Sequence, residues 1–154
     1  MAYNSETTDV LNDLIKINND RIEGYEKAIK DSQPDTNYDE LFNRMIQQSS
    51  IIRQELSNEI RRMGGESATD GTTNSGKIYR TWMDVKSAFT GKSEKSALEL
   101  CEFGEDAAQK AYEEALSSED ISNETRELLS RQKNELKESH DIIKAERDMY
   151  KEIS

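Results

Sequence analysis

Residues 64–77 read GGESATDGTTNSGK and divide the chain into two parts that each carry two long helical patterns. This stretch holds four of the seven glycines and has no aliphatic side chain larger than alanine. Glycine and short polar residues bury little surface, so the composition predicts an exposed, flexible connection. We expect residues 66–76 to be the most mobile internal segment of the protein.

Long amphipathic helices are predicted on both sides of this connection. Apolar residues recur at steps of three and four over about 7–31, 38–63, 94–117 and 122–150. A shorter pattern over about 77–90 contains the single tryptophan, Trp82. We expect Trp82 to be largely buried, because a short helix depends on packing rather than on intrinsic propensity for its stability.

The lengths of the connections indicate how these helices are joined. The first and second helices are separated by a short stretch, as are the third and fourth, whereas residues 64–93 separate the second from the third. A long crossover of this kind makes the second and third helices parallel. One proline and seven glycines are too few for the turns of a sandwich or barrel. The prediction is an all-α fold, a single domain over 1–154 that forms a ferritin-like four-helix bundle with a short extra helix on its crossover.

Charge and hydropathy exclude several classes of protein. The net charge is −11, and no cluster of Lys and Arg could neutralise phosphates, so nucleic-acid binding is not expected. No apolar run exceeds three residues, which argues against a membrane-spanning helix and predicts a cytoplasmic protein. Cys101 is the single cysteine, so disulfides and cysteine-cluster metal sites within one chain are excluded as well.

Polar residues interrupt the inward-facing stripes of the predicted helices. The first helix has Asn18 at such a position, the third has Glu105, and the fourth has Gln132 and His140. Each lies within about two turns of its helix midpoint, so the bundle would bring them to similar heights. On the second helix, three polar residues fall on the inner face or its edge: Gln48, Glu55 and Glu59. The pattern predicts a buried polar layer that fixes which helix faces which.

A buried carboxylate needs a partner, because leaving it unpaired costs several kcal/mol. For Glu105 the candidates are His140, Gln132, Tyr25 or a metal ion. A carboxylate/histidine site for iron or another divalent metal could be built from Glu55, Glu105 and His140. The familiar dinuclear site needs two Glu-x-x-His motifs, however, and Lys137 stands three residues before the only histidine. Acid–base catalysis by Glu105 and His140 is a third hypothesis, without a recognisable nucleophile pattern beside it.

Five stretches of sequence follow one another in a recognisable order and spacing. They are LNDLIKINNDRIEGYE at 11–26, ELSNEIRRMGG at 55–65, WMDVKSAFTG at 82–91, CEFGED at 101–106 and QxxxLxxxHD at 132–141. Together they resemble an uncharacterised bacterial family, a domain of unknown function with a ferritin-like four-helix bundle. The resemblance implies this fold and a bacterial cytoplasmic origin, without an assigned reaction.

The resemblance also bears on the candidate site. It implies inward polar residues at Asn18, Glu55, Glu105, Gln132 and His140. Where the family pattern has a histidine on the crossover helix, this chain has Tyr79, which removes a nitrogen ligand. We therefore expect a non-enzymatic helical bundle without a cofactor, acting through protein contacts or self-association as a homodimer. The alternative is a ferritin-like metal-binding protein with its site inside the bundle.

Overall fold

The computed structural model describes residues 5–31, 39–65, 78–80, 82–83, 97–119 and 121–153. Within these ranges the chain is helical and contains no strand, which confirms the all-α prediction. The four long helices are α1 (Ser5–Asp31), α2 (Asp39–Arg62), α3 (Ala97–Leu116) and α4 (Asn123–Ile153). Their bounds differ from the predicted ones by at most three residues. Residues 78–80 and 82–83, here called the Trp82 segment, are also helical.

Local hydrogen bonds explain where α2 ends. Gly64 has a φ of 87°, a left-handed conformation that glycine adopts without steric cost. The Gly64 N–H donates to the Arg61 carbonyl at 3.0 Å, and the Gly65 N–H donates to the Ile60 carbonyl at 2.9 Å. This pair of bonds is a Schellman motif, which satisfies carbonyls that the helix leaves unpaired at its end. The helix ends at Arg62, within one residue of the predicted end at 63.

A side-chain cap and an arginine organise the turn between α3 and α4. The Ser122 hydroxyl accepts from the Thr125 N–H at 3.2 Å, as an N-cap serine does at a helix start. Arg126, in the first turn of α4, donates to the carbonyl of Leu116, the last residue of α3, and to the carbonyl of Ser118 in the turn that follows. These bonds satisfy carbonyls that the helix end leaves unpaired, and they tie α4 to the end of α3.

Each helix of the bundle has two main neighbours: α1 packs on α2 and α3, and α4 packs on α3 and α2. Between α2 and α4, Gln48 bonds to Ser139 while Glu55 bonds to Arg131, so the two helices run antiparallel. Between α1 and α3, Arg21 pairs with Glu105 while Asn18 bonds further along α3, so these two are antiparallel as well. Since α1 is antiparallel to α2 in the same way, α2 and α3 are parallel, as the long crossover predicts.

Apolar side chains from all four helices form the larger of two core clusters. Each leucine or isoleucine that is fully buried there contributes about 1.5–3 kcal/mol relative to an exposed position. The smaller cluster lies towards the end where α1 finishes and α2 begins. Its members are Tyr25, Leu41, Phe42, Met45 and Ile143.

The Trp82 segment is held against α1 by two carboxylates. Asp20 Oδ2 accepts from the Tyr79 hydroxyl and from Trp82 Nε1, both at 2.9 Å. Asp13 accepts from the Tyr79 backbone N–H at 3.2 Å. Trp82 is 8% exposed and belongs to the larger core cluster, which confirms its predicted burial. The rest of the predicted 77–90 helix, and residues 66–76, lie outside the described residues.

None of the described helices combines the length and the apolar character that crossing a bilayer demands.

Candidate functional site

A buried ion pair between Arg21 and Glu105 lies at the centre of the bundle. The side chains are 4% and 1% exposed. Arg21 Nε donates to Glu105 Oε1, and Arg21 Nη2 donates to Glu105 Oε2 at 3.0 Å. Two parallel, charge-assisted hydrogen bonds of this kind are stronger than bonds between neutral groups, and this pair joins α1 directly to α3.

The same guanidinium reaches a third helix. Arg21 Nη1 donates to the Ser49 hydroxyl at 2.6 Å and to the Met45 carbonyl at 3.1 Å, both on α2. Burial by itself would lower the pKa of Arg21, but the negative charge of Glu105 raises it, and the net direction is upward. Arg21 is therefore a permanent cation at the point where α1, α2 and α3 meet.

From Ser49 a chain of hydrogen bonds continues through all four helices. The Ser49 hydroxyl donates to Asn18 Oδ1 at 2.8 Å, and Asn18 Nδ2 donates to the Tyr112 hydroxyl at 3.4 Å. The Tyr112 hydroxyl donates to Gln132 Oε1 at 2.9 Å. Gln132 Nε2 in turn donates to Glu55 Oε1 at 3.2 Å. We call these residues the polar layer: Arg21, Glu105, Ser49, Asn18, Tyr112, Gln132 and Glu55.

Every donor in this series of hydrogen bonds points the same way, from the buried Arg21 cation towards the Glu55 carboxylate near the surface. Arg21 donates first and Glu55 accepts last, and Glu55 is paired on its outer side with Arg131 at 2.9 Å. Hydrogen bonds that share one direction polarise and strengthen one another in a low-dielectric interior. The orientation of both amides, Asn18 and Gln132, is thus fixed by the charges at the two ends.

The structure places four of the sequence-predicted polar residues in this layer. Asn18, Glu105 and Gln132 are each at most 1% exposed, and the Glu55 side chain, at the outer end of the layer, is 27% exposed. His140 is elsewhere, which corrects its predicted inward position. Its side chain is 18% exposed and bonds through Nε2 to Asp106 and through Nδ1 to Asp141. The buried face of α4 passes instead through Ser139, and a step of one residue turns a side chain by about 100° around the helix.

The candidate metal ligands Glu55, Glu105 and His140 are not brought together. Each is engaged with a different partner, namely Arg131, Arg21 and Asp106. Across the described part of the chain, no group of three or more His, Cys, Asp or Glu side chains is arranged to hold a metal ion. Arg21 provides the positive charge that the buried Glu105 carboxylate requires.

Sequence reasoning missed Arg21, Ser49 and the polar role of Tyr112. Steps of three and four between Asn18 and Tyr25 predict Ile22 on the inward stripe of α1, yet Ile22 is half-buried whereas Arg21 is 5% exposed. Arg21 lies three residues after Asn18 and four before Tyr25, which is equally good helical spacing. The sequence did contain a signal for Arg21, because a buried Glu105 carboxylate requires a positive charge beside it. On α2 the helical spacing admits either position 48 or position 49 on the inner face, and the structure buries Ser49.

A known protein family matches the part of the sequence that contains most residues of this site. A sequence model of a family described as a domain of unknown function (DUF2383) matches residues 6–118. The chain belongs to this family. Its resemblance to an uncharacterised domain family is therefore confirmed. The matched range includes Arg21, Glu105 and the layer residues of α2, whereas Gln132 on α4 lies beyond it. No curated protein matches the chain.

Proposed function

We propose that this protein is a non-enzymatic helical bundle that acts through contacts of its surface with protein, and that its polar layer specifies the arrangement of the helices. The observation that carries the proposal is the bidentate pair of Arg21 and Glu105. In a metal-binding bundle, interior carboxylates face a metal cation. In this chain the cation beside the interior carboxylate is the Arg21 side chain, so the negative charge of Glu105 is balanced without a metal ion.

The cost of breaking the pair explains how it specifies one arrangement. Leaving one member of a buried ion pair without its partner costs about 3–5 kcal/mol. Rotating or shifting α1 against α3 would separate Arg21 from Glu105 and incur that cost, whereas an apolar core tolerates such shifts more easily. The ion pair thus favours a single helix arrangement over competing ones.

The connectivity and the surface support further parts of the proposal. Antiparallel neighbours and a parallel α2 and α3 are what a ferritin-like bundle requires, and we propose that connectivity in one cytoplasmic domain. Four large apolar side chains are exposed in the described part of the chain: Ile51, Met83, Ile142 and Met149. Ile142 and Met149 are one heptad apart on α4 and so lie on the same side of that helix. We propose that this side of α4 forms the interface of a weak homodimer.

Metal content distinguishes this proposal from the alternative, a carboxylate/histidine metal protein. The protein is purified from cells supplemented with iron, manganese and zinc, and its metals are measured by elemental analysis. Thermal melts are recorded with and without a chelator. We expect far less than one metal ion per chain and an unchanged melting temperature, because binding to the native state alone would raise stability.

The metal-binding alternative predicts the opposite result. Stoichiometric metal that is lost in both Glu105→Ala and His140→Ala, with a melting temperature that falls on chelation, would establish the metal-binding alternative. Glu138→Ala serves as the matched control, because Glu138 is an exposed carboxylate on α4 outside the polar layer.

Self-association is measured by sedimentation velocity over a range of protein concentrations. We expect a concentration-dependent dimer that is weakened by Ile142→Glu. Ile51→Glu is the control, since it places the same charge at an exposed isoleucine on α2. A monomer at the highest concentration, or equal effects of the two substitutions, would remove the proposed interface.

A further inference from the structure

The outer surface of α2 differs in charge from that of the other helices. From Asn43 to Arg62, α2 exposes no carboxylate, although the chain has 32 acidic residues. Glu55 and Glu59, the acidic residues in this range, are partly buried and paired with Arg131 and Arg62. On α1, α3 and α4, carboxylates outnumber Lys and Arg among the exposed side chains that the structure describes. The exposed charge of α2 is therefore positive, while that of its neighbours is negative.

The exposed residues of α2 recur at steps of three and four. We call six of them the α2 face: Arg44, Gln47, Ile51, Gln54, Asn58 and Arg61. Their mean spacing is that of the contact line between two helices that pack side by side. This line is about 25 Å long, because each residue of a helix adds about 1.5 Å. A second helix of about five turns would cover it.

The α2 face has the composition of a protein interface. Such interfaces have an apolar centre and a polar rim, and they are enriched in Arg and depleted of Lys, Asp and Glu. Ile51, in the middle of the face, is 61% exposed. Beside it the Asn58 side-chain oxygen accepts from Gln54 Nε2 at 3.1 Å and from Arg61 Nη1 at 3.5 Å. The face thus combines an exposed apolar residue with polar side chains on either side of it.

An arginine near each end of the α2 face defines the charge of a complementary partner. Neither Arg44 nor Arg61 forms an ion pair with a carboxylate in the described part of the chain. At physiological salt, exposed charges further apart than about 8 Å are largely screened, so both arginines attract carboxylates locally despite the net charge of −11. Neutralising the phosphates of a nucleic acid requires clustered Lys and Arg, whereas these two are separated by amides and an isoleucine.

We propose that the α2 face is the docking surface for an acidic amphipathic helix of a partner protein. An apolar residue of the partner helix packs on Ile51, and carboxylates near its two ends bond to Arg44 and Arg61. Gln47 and Gln54 bond to polar side chains between them. This inference rests on the proposed function, because it names the surface and the partner for the protein contacts. The face lies on a different helix from the side of α4 that is proposed for self-association.

Binding of a defined peptide tests the docking surface. The probe is a capped, alanine-rich helix of about 20 residues with a central leucine and a pair of glutamates in each terminal turn. A second probe carries lysines in place of the glutamates. With isotope-labelled protein, we expect the acidic probe to shift NMR signals of the α2 face, less strongly as salt is added, and the lysine probe to leave them unchanged.

Substitutions on the α2 face provide the second measurement. Arg44→Glu/Arg61→Glu should weaken binding of the acidic probe about tenfold, because it replaces attraction by repulsion. Lys27→Glu/Lys30→Glu is the matched control, since it changes the net charge by the same amount at exposed lysines of α1. Melting temperatures show that each variant is folded. Equal losses in both variants, no binding to the wild type, or tighter binding of duplex DNA or anionic vesicles than of the acidic probe would overturn the proposal.

Two further outcomes separate this docking surface from the other proposals. If Ile51→Glu weakened self-association in sedimentation velocity, a second copy of the chain would cover the α2 face, and the proposal would be wrong. Metal content is measured independently of the peptide. Absence of peptide binding in a metal-free protein would reject the docking surface alone, whereas stoichiometric metal would reject the proposed function.

Discussion

Arg21 and Glu105 are 84 residues apart in the chain, yet they form a two-bonded ion pair in the interior of the bundle. The pair links α1, the first helix before the long crossover, to α3, the first long helix after it. Its position beside Ser49 and Met45 means that one guanidinium fixes the relative placement of three helices.

Replacing one member of this ion pair should destabilise the protein far more than replacing both members together. We expect Arg21→Met and Glu105→Gln each to lower the free energy of unfolding by about 3–5 kcal/mol, because each leaves a buried charge uncompensated. The double variant Arg21→Met/Glu105→Gln should recover most of that loss, since no charge remains. Urea unfolding of the four proteins gives the coupling energy. Additive losses would show that the two charges do not interact in the folded protein.

Removing the Ser49 hydroxyl should lower the free energy of unfolding, whereas removing the hydroxyl of the neighbouring Ser50 should change it little. Ser49→Ala removes the donor to Asn18 Oδ1 and one acceptor of Arg21, so we expect a loss of about 1–3 kcal/mol. Ser50→Ala is the matched control one position along α2, at a half-buried site outside the layer, and should change stability by less than about 0.5 kcal/mol. Equal effects in thermal or urea unfolding would contradict a specific role for Ser49.

Asp20 should control the environment of the single tryptophan. Asp20→Ala removes the acceptor of both Trp82 Nε1 and the Tyr79 hydroxyl, so the Trp82 segment should pack less firmly on α1. We expect a red shift of the tryptophan emission and easier quenching by acrylamide. Asp9→Ala changes an exposed carboxylate on the same helix and is the control. Unchanged emission in Asp20→Ala would show that apolar packing alone holds the segment.

His140 should give the stability a small dependence on pH. Burial by itself lowers the pKa of His140, but the hydrogen bond to Asp141 and the charge of Asp106 raise it, and the net direction is upward. A raised pKa in the folded state means that the protonated form stabilises the protein. This contribution is complete below the unfolded value of about 6.5 and is lost as the pH rises through the folded pKa.

The measurement is the melting temperature of the wild type minus that of His140→Gln, taken across this pH range. The difference should be largest at mildly acidic pH and should shrink above the folded pKa. Titration of other groups cancels in the comparison, because both proteins contain them. A difference that grows with pH would mean that the folded state prefers the neutral imidazole.

Much of the fold follows from local sequence. The steps of three and four define α1 to α4 because side chains at that spacing share one face of a helix. Gly64 ends α2 because it adopts a positive φ at no steric cost. The inward positions of Asn18 and Glu105 also follow from spacing, since each stands between apolar residues of one stripe. The length of the crossover was sufficient to predict that α2 and α3 are parallel.

The partner of each buried polar group was decided by the tertiary structure. An apolar stripe covers roughly 100° of a helix, so positions at its edge, such as Arg21 or His140, are buried or exposed according to the neighbouring helix. Arg21 is inside because α3 presents Glu105 to it, and the ion pair offsets the desolvation of both charges. His140 is at the edge because α4 turns Ser139 towards Gln48 and leaves the imidazole beside Asp106. Spacing within one helix determines its faces, whereas only the packing of helices distant in sequence determines which charges meet.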